Sequence, residues 1–256
     1  KRQVVLYMIH PGGGNVLAYE PVARNLPESI AAIGIQARGV EGVDEPDRTI
    51  EQMATRYAEA IDEYQPSGPI HMVGYSTGGL AAFETARVLE QQGRSVGFLA
   101  MLDTLYPLGK SIGDRIARQV STVRGGGLVG VRTVLAWWWA TFRATAGRFR
   151  HGPKWRYRAA KGIPLPAELA GKRINHIALK AQRAYEPGRY GGTVTYLRAT
   201  GDEGLRYQVS HELWSSVTAD VFVREAPGRH TGEGSMVLDP HASETARILA
   251  EELERA

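Results

Sequence analysis

Ser76 stands between two glycines in GYSTG (74–78), at the end of the apolar run IHMVGY and the start of a helix-spaced segment, GGLAAFETARVLEQQG. A G-x-S-x-G turn between a strand and a helix is tight and strained. It lifts the serine Oγ clear of the sheet as a nucleophile. Such a hydroxyl needs a base, usually a histidine. Where this turn is used the partners follow in the order Ser, Asp or Glu, His, so His10 and His71 precede the serine and are excluded as bases. His151 and His176 fall in or just after a helical middle segment, and His211 falls in a helical stretch. His230 lies in the loop APGRHTGEG beyond the apolar run DVFVRE, where an α/β sheet gathers its chemistry. His241, just ahead of the last helix, reads as a surface or capping residue. His230 is therefore the expected base. Asp103, ending VGFLAMLD, and Asp202, ending TVTYLRATGD, are equally placed as the acid that holds the imidazole. The oxyanion hole needs two backbone N–H groups, one from Thr77 and one from the glycine loop IHPGGGN (9–15). A phosphate-cradling role for that loop is weaker, because neither a Walker lysine nor G-x-G-x-x-G follows.

These groups require a scaffold of alternating strands and helices. VVLYMI, IHMVGY and VGFLAMLD are short, β-branched runs suited to buried parallel strands. TIEQMATRYAEAIDEY carries a Thr49–Gln52 capping box and a helical stripe of Ile50, Met53, Tyr57, Ile61 and Tyr64. After the serine, Leu80, Phe83, Ala86 and Val88 keep helical spacing as far as Gly93, a C′ stop. No strand is expected from about Tyr106 to Lys172, where two helical stretches flank GGG (125–127) and Trp137, Trp138 and Trp139 stand in a row. The alternation resumes with a helix near 173–185, a strand over 193–200, a helix near 205–216, a strand over 220–225 and a closing helix. The expected fold class is α/β, a mostly parallel sheet flanked by helices, interrupted by a helical insertion that reads as a lid. The expected parts are a core over 1–104, the insertion over 105–172 and the rest of the core over 173–256.

Composition sets outer limits. With 256 residues, 43% apolar and 23% charged, the chain can bury a substantial core as one domain with an insertion. The absence of cysteine removes disulfides, thiolate catalysis and cysteine metal sites and fits a reducing cytoplasm; no metal is expected in the site. A net charge of +4 makes no case for nucleic acid. No apolar stretch reaches a membrane-spanning length and no signal-peptide pattern opens the chain. Starting on Lys1 and entering a strand by Val4, the sequence reads as a domain cut from something longer.

Beyond these patterns, HPGGGNVLAYEPVARNL, the long segment ending QPSGPIHMVGYSTGGLAAFETARVLEQQG, LDT and APGRHTGEG resemble the thioesterase domains that end nonribosomal peptide synthetases and related polyketide synthases. The resemblance covers about residues 4–103 and 174–256. GYS followed by GG is more similar to these type I domains than to the stand-alone editing (type II) thioesterases, which tend to read GHSMG. It implies an α/β-hydrolase fold with Ser76 as nucleophile, His230 as base and Asp103 rather than Asp202 as acid. It places the second oxyanion donor at Gly12, with Gly13 as the neighbour. The implied activity is release of a peptidyl or depsipeptidyl chain by macrocyclisation or hydrolysis, with no cofactor in the domain and the chain delivered on the phosphopantetheine arm of an acidic carrier protein. Within the insertion the resemblance gives no residue-level guidance: Trp137, Trp138 and Trp139 are candidates for lid-to-core packing or an acyl pocket, and ten cations between Arg115 and Arg158 for solvated helix faces or a carrier-facing surface. Rival readings are a free-standing carboxylesterase or lipase, and a noncatalytic hydrolase-like binding module.

Overall fold

The computed structural model describes residues 3–107, 158, 161, 163–201 and 205–256, with side chains from 205 to 209 left out. Six strands form one sheet: β1 (Val4–Ile9), β2 (Ile30–Ile35), β3 (Ile70–Tyr75), β4 (Val96–Leu102), β5 (Thr193–Ala199) and β6 (Asp220–Ala226). Their order is β2-β1-β3-β4-β5-β6 and every pairing is parallel. The helices are α1 (Glu20–Ala23), α2 (Ile50–Tyr64), α3 (Thr77–Gln91), α4 (Ala167–Ala184), α5 (Leu205–Trp214) and α6 (Ala242–Arg255).

Side chains alternate across a strand, so a sheet covered on both faces has two cores. Tyr7 and Ile9 of β1, with Met72, Leu99, Met101 and Tyr196, pack against α2, α3 and α4 on one face. Leu6 and Met8, with Val73, Phe98, Ala100 and Leu197, pack against α1 and α6 on the other. This double coverage explains why VVLYMI, IHMVGY and VGFLAML read as continuous apolar runs.

Local signals act where the sequence put them. The Thr49 side chain accepts from Gln52 N at 3.1 Å, while Gln52 Oε1 accepts from Arg48 N at 2.9 Å. The capping box thus closes one residue further out than its usual form. Ile50, Met53, Tyr57 and Ile61 are buried, but Tyr64, the last residue of the helix, is 64% exposed. Gly93 adopts φ +78° directly after α3, and Arg94 N bonds back to Leu89 O.

Four elements differ from expectation. β2 has no counterpart among the expected strands; it is an edge strand in which, after buried Ile30, residues alternate between partly covered and exposed, so it has no continuous buried run. A short helical turn (Val16–Tyr19) and α1 were likewise not foreseen. The helix expected near 173–185 begins at Ala167, after Pro166 and with Glu168 in its first turn, so the boundary set at residue 172 falls inside α4. Most of the expected insertion, and Trp137, Trp138, Trp139 and Asp202, lie outside the described residues.

Candidate active site

Parallel strands bring all their C-terminal ends to one edge of the sheet. Strand order reverses between β1 and β3, which opens a crevice beyond those two ends. The glycine loop leaves β1 and Ser76 leaves β3, so both arrive at that crevice. Asp103 follows β4 and His230 follows β6 on the same edge.

Ser76 has φ 58° and ψ −124°, a conformation rare for a side-chain-bearing residue. The turn is held by Ser76 N donating to Leu102 O at 3.0 Å and Gly79 N donating to Ser76 O at 3.1 Å. Both flanking glycines are required by close approach: a Cβ at Gly74 would overlap the Gly78 carbonyl, and one at Gly78 would overlap the His10 carbonyl. The motif's spacing therefore reflects backbone contact as well as turn geometry.

Ser76 Oγ lies 3.0 Å from His230 Nε2, and His230 Nδ1 lies 2.8 Å from Asp103 Oδ2. Asp103 is fully buried, and its other carboxylate oxygen accepts from Ala199 N at 3.3 Å. A buried carboxylate only accepts, so His230 Nδ1 carries the proton and Nε2 is left to accept from the serine hydroxyl. That tautomer suits proton abstraction from Ser76. Asp103 itself has φ 47°, so a second strained backbone position flanks the first.

The His230 loop is tied to the nucleophile's strand. Ser235 Oγ donates to His230 O at 3.3 Å and accepts from Tyr75 Oη at 3.1 Å, and the Tyr75 and His230 rings lie 5.4 Å apart. Ser235 and Tyr75 are both buried. Ser235→Ala is expected to lower kcat about tenfold with KM within twofold, because it loosens the ring through one hydrogen bond of about 1 kcal/mol. Steady-state kinetics on purified variant and wild type check this.

A cavity of about 280 Å³ opens above Ser76, and Gly12, Thr77 and His230 all line it. Thr77 is the first residue of α3, whose leading N–H groups have no intrahelical acceptor. The structure thus brings Ser76, His230, Asp103, Thr77 and Gly12 to one place. His211 sits on α5 and His176 on α4, while His241 holds the N-cap position of α6 without a side-chain cap bond. His151 lies outside the described residues.

Sequence reasoning missed the far wall. Asn175, Leu179 and Gln182 of α4 line the cavity, spaced four and three residues apart so that they share one helix face. A Cβ on Gly12 would come within 2.6 Å of Asn175 Oδ1 and 3.1 Å of Thr77 Oγ1, so glycine lets α4 settle against the loop. The helical periodicity was visible, but nothing in it says which face meets the cavity. Among the described residues no cluster of three or more metal-ligating side chains occurs, and no helix is long and apolar enough to cross a membrane.

Residues 5–122 match the family model described as Thioesterase domain. That segment, just under half of the chain, is similar to thioesterase domains. Over 98 residues it is 37% identical to the nonribosomal peptide synthetase pngA of Aspergillus terreus, covering 38% of this chain and 10% of that protein. Over 102 residues it is 37% identical to the dimodular nonribosomal peptide synthase of Bacillus subtilis, covering 40% of this chain and 4% of that one. The chain therefore spans a tenth or less of the length of these relatives. In three dimensions it is similar to the NocB thioesterase domain in covalent complex with a fluorophosphonate nocardicin G analog (TM-score 0.67, 22% identity, 98% of this chain and 94% of that one). It is also similar to SrfTE, a structure concerned with cyclization of the lipopeptide antibiotic surfactin (TM-score 0.64, 20% identity, 98% and 91%). The chain thus has the α/β-hydrolase fold of these solved domains, as the resemblance implied.

Proposed function

We propose that this domain is a hydrolase that releases a peptidyl or depsipeptidyl chain from the phosphopantetheine thioester of a carrier protein. The observation that carries the reading is the hydrogen-bonded line from Ser76 through His230 to buried Asp103, facing a glycine loop. His230 Nε2 removes the Ser76 proton as Oγ attacks the thioester carbonyl. The Thr77 and Gly12 amides receive the developing oxyanion. Collapse expels the thiolate, which takes the proton from His230 and leaves an acyl-Ser76 ester. A second nucleophile, water or an amine or hydroxyl of the chain itself, is deprotonated by His230 and attacks the ester. Ser76 recovers its proton, and the product is a linear acid or a ring.

Two features support a peptidyl substrate. The matched relatives include peptide synthetases. The α4 wall offers two amide side chains, Asn175 and Gln182, about 10 Å apart along the helix, which suits the repeating amides of an extended chain. The segment that leaves the cavity at Leu105 and returns to it along α4 is proposed as a lid, with the carrier protein as the domain's partner.

The test is incubation with a panel of peptidyl and simple acyl N-acetylcysteamine thioesters, with p-nitrophenyl acetate as a comparison and products read by mass. Peptidyl thioesters are expected to give the highest kcat/KM and an acyl adduct on Ser76; rings weigh one water less than linear acids. A higher kcat/KM for the simple ester would point to a general esterase, and no adduct under any condition to a binding module.

A further inference from the structure

His10 cannot be the base, since His230 occupies that place, yet among the described residues it is one of the most buried polar groups, at 2% exposure. Its ring is fully engaged. Nε2 lies 2.6 Å from Tyr57 Oη and Nδ1 lies 2.8 Å from Pro11 O. A carbonyl can only accept, so Nδ1 is the protonated nitrogen and Nε2 accepts from the Tyr57 hydroxyl. Burial lowers the pKa of His10, which keeps the ring neutral and this tautomer in place. Gly14 N also donates to Pro11 O, at 2.9 Å, so both lone pairs of that carbonyl are taken.

The Pro11 carbonyl is half of a peptide unit whose other half is the Gly12 N–H. The Pro11–Gly12 bond is trans, so its C=O and N–H point in opposite directions within one plane. With the carbonyl drawn toward the buried His10 ring, the N–H must face the other way, and Gly12 borders the cavity above Ser76. Among the described residues the Gly12 amide donates to no other group. A glycine-rich loop left to itself would let this peptide rotate. We propose that Tyr57 and His10 form a buried strut that aims the Gly12 N–H at the oxyanion, with His10 as a positioning residue that never touches substrate. This rests on the reading of Ser76 as the nucleophile and Gly12 as an oxyanion donor.

The distinction between the two ring nitrogens supplies the test. In His10→Asn the amide nitrogen takes the place of Nδ1 and can still hold Pro11 O. In His10→Gln the amide reaches toward Tyr57 instead, and His10→Leu holds neither. Loss of one oxyanion donor costs about 10²–10³ in kcat, so a misaimed donor in His10→Leu and His10→Gln is expected to lower kcat about 30–100-fold with KM within twofold. His10→Asn should recover to within about fivefold of wild type. A trifluoromethyl ketone analogue of the acyl group places its own oxyanion in the same hole, so its Ki should rise by the same factor as kcat falls, variant by variant. A merely structural role would not order the variants in this way.

The proposal is overturned if His10→Asn is no better than His10→Leu, if KM moves in place of kcat, or if Ki stays constant. Should His10→Leu fail to melt cooperatively, Tyr57→Phe removes only the outer hydroxyl of the strut. It is expected to lower kcat about three- to tenfold at unchanged KM, and an unchanged kcat would refute the strut. The wild-type control separates the two layers. If no acyl adduct forms on Ser76, the proposed function falls; if it forms equally fast in every His10 variant, only the strut falls.

Discussion

Ser76→Ala is expected to lower kcat for thioester release by about 10⁵–10⁶, leaving only the background that binding and the oxyanion donors sustain. Removing the hydroxyl removes the atom that forms the acyl bond, so no covalent adduct should be seen by intact mass after incubation with thioester or fluorophosphonate. Folding should be intact, because Ser76 Oγ bonds only to His230 across the cavity while the turn is held by the backbone bonds to Leu102 and Gly79. A variant that still melts cooperatively near the wild-type temperature and still turns over thioester within a hundredfold would remove Ser76 from the nucleophile's role.

Asp103→Asn ranks second, with an expected loss of about 10⁴ in kcat near neutral pH. The asparagine keeps the size of the side chain but can present its NH₂ to His230 Nδ1. His230 would then carry its proton on Nε2, facing Ser76, and could no longer accept from the hydroxyl. Because the site is fully buried and one carboxylate oxygen already accepts from Ala199 N, the amide has little freedom to turn away. Asp202→Asn, the control from the next strand end, is expected to stay within about threefold, since Asp103 already fills the place beside His230. Pre-steady-state acylation measured on both variants decides between them; a severe Asp202 effect beside a mild Asp103 effect would reverse the assignment.

Much of this arrangement is legible in the sequence, for specific physical reasons. The serine is marked by glycines that no other residue could replace, since backbone comes within overlap distance of a Cβ at Gly74 and Gly78. His230 is marked by chain order and by its place after a strand. The spacing of Asp103 and Asp202 left them equal; the resemblance favoured Asp103, and it is Asp103 that lies 2.8 Å from His230. β2 was not legible because an edge strand with one face partly open does not produce a continuous apolar run. The early start of α4 has a local signal in Pro166 at the N-cap and Glu168 in the first turn. Asn175 and Gln182 were beyond reach, because which face of α4 meets the cavity is fixed by packing between elements distant in the chain. His10 shows the converse. Order alone disqualified it as a base, yet its partner Tyr57 stands in the helical stripe already read as core.

The left-handed backbone at position 76 sets folding and reactivity at odds. A side chain held at φ 58° costs on the order of 1–3 kcal/mol, a sum that glycine would largely recover. Drift from serine to glycine would therefore run downhill for the fold while extinguishing the chemistry, and only selection on product release stands in its way. A copy of this domain freed from that selection would keep its architecture long after losing its use, so an intact scaffold is poor testimony of a working one.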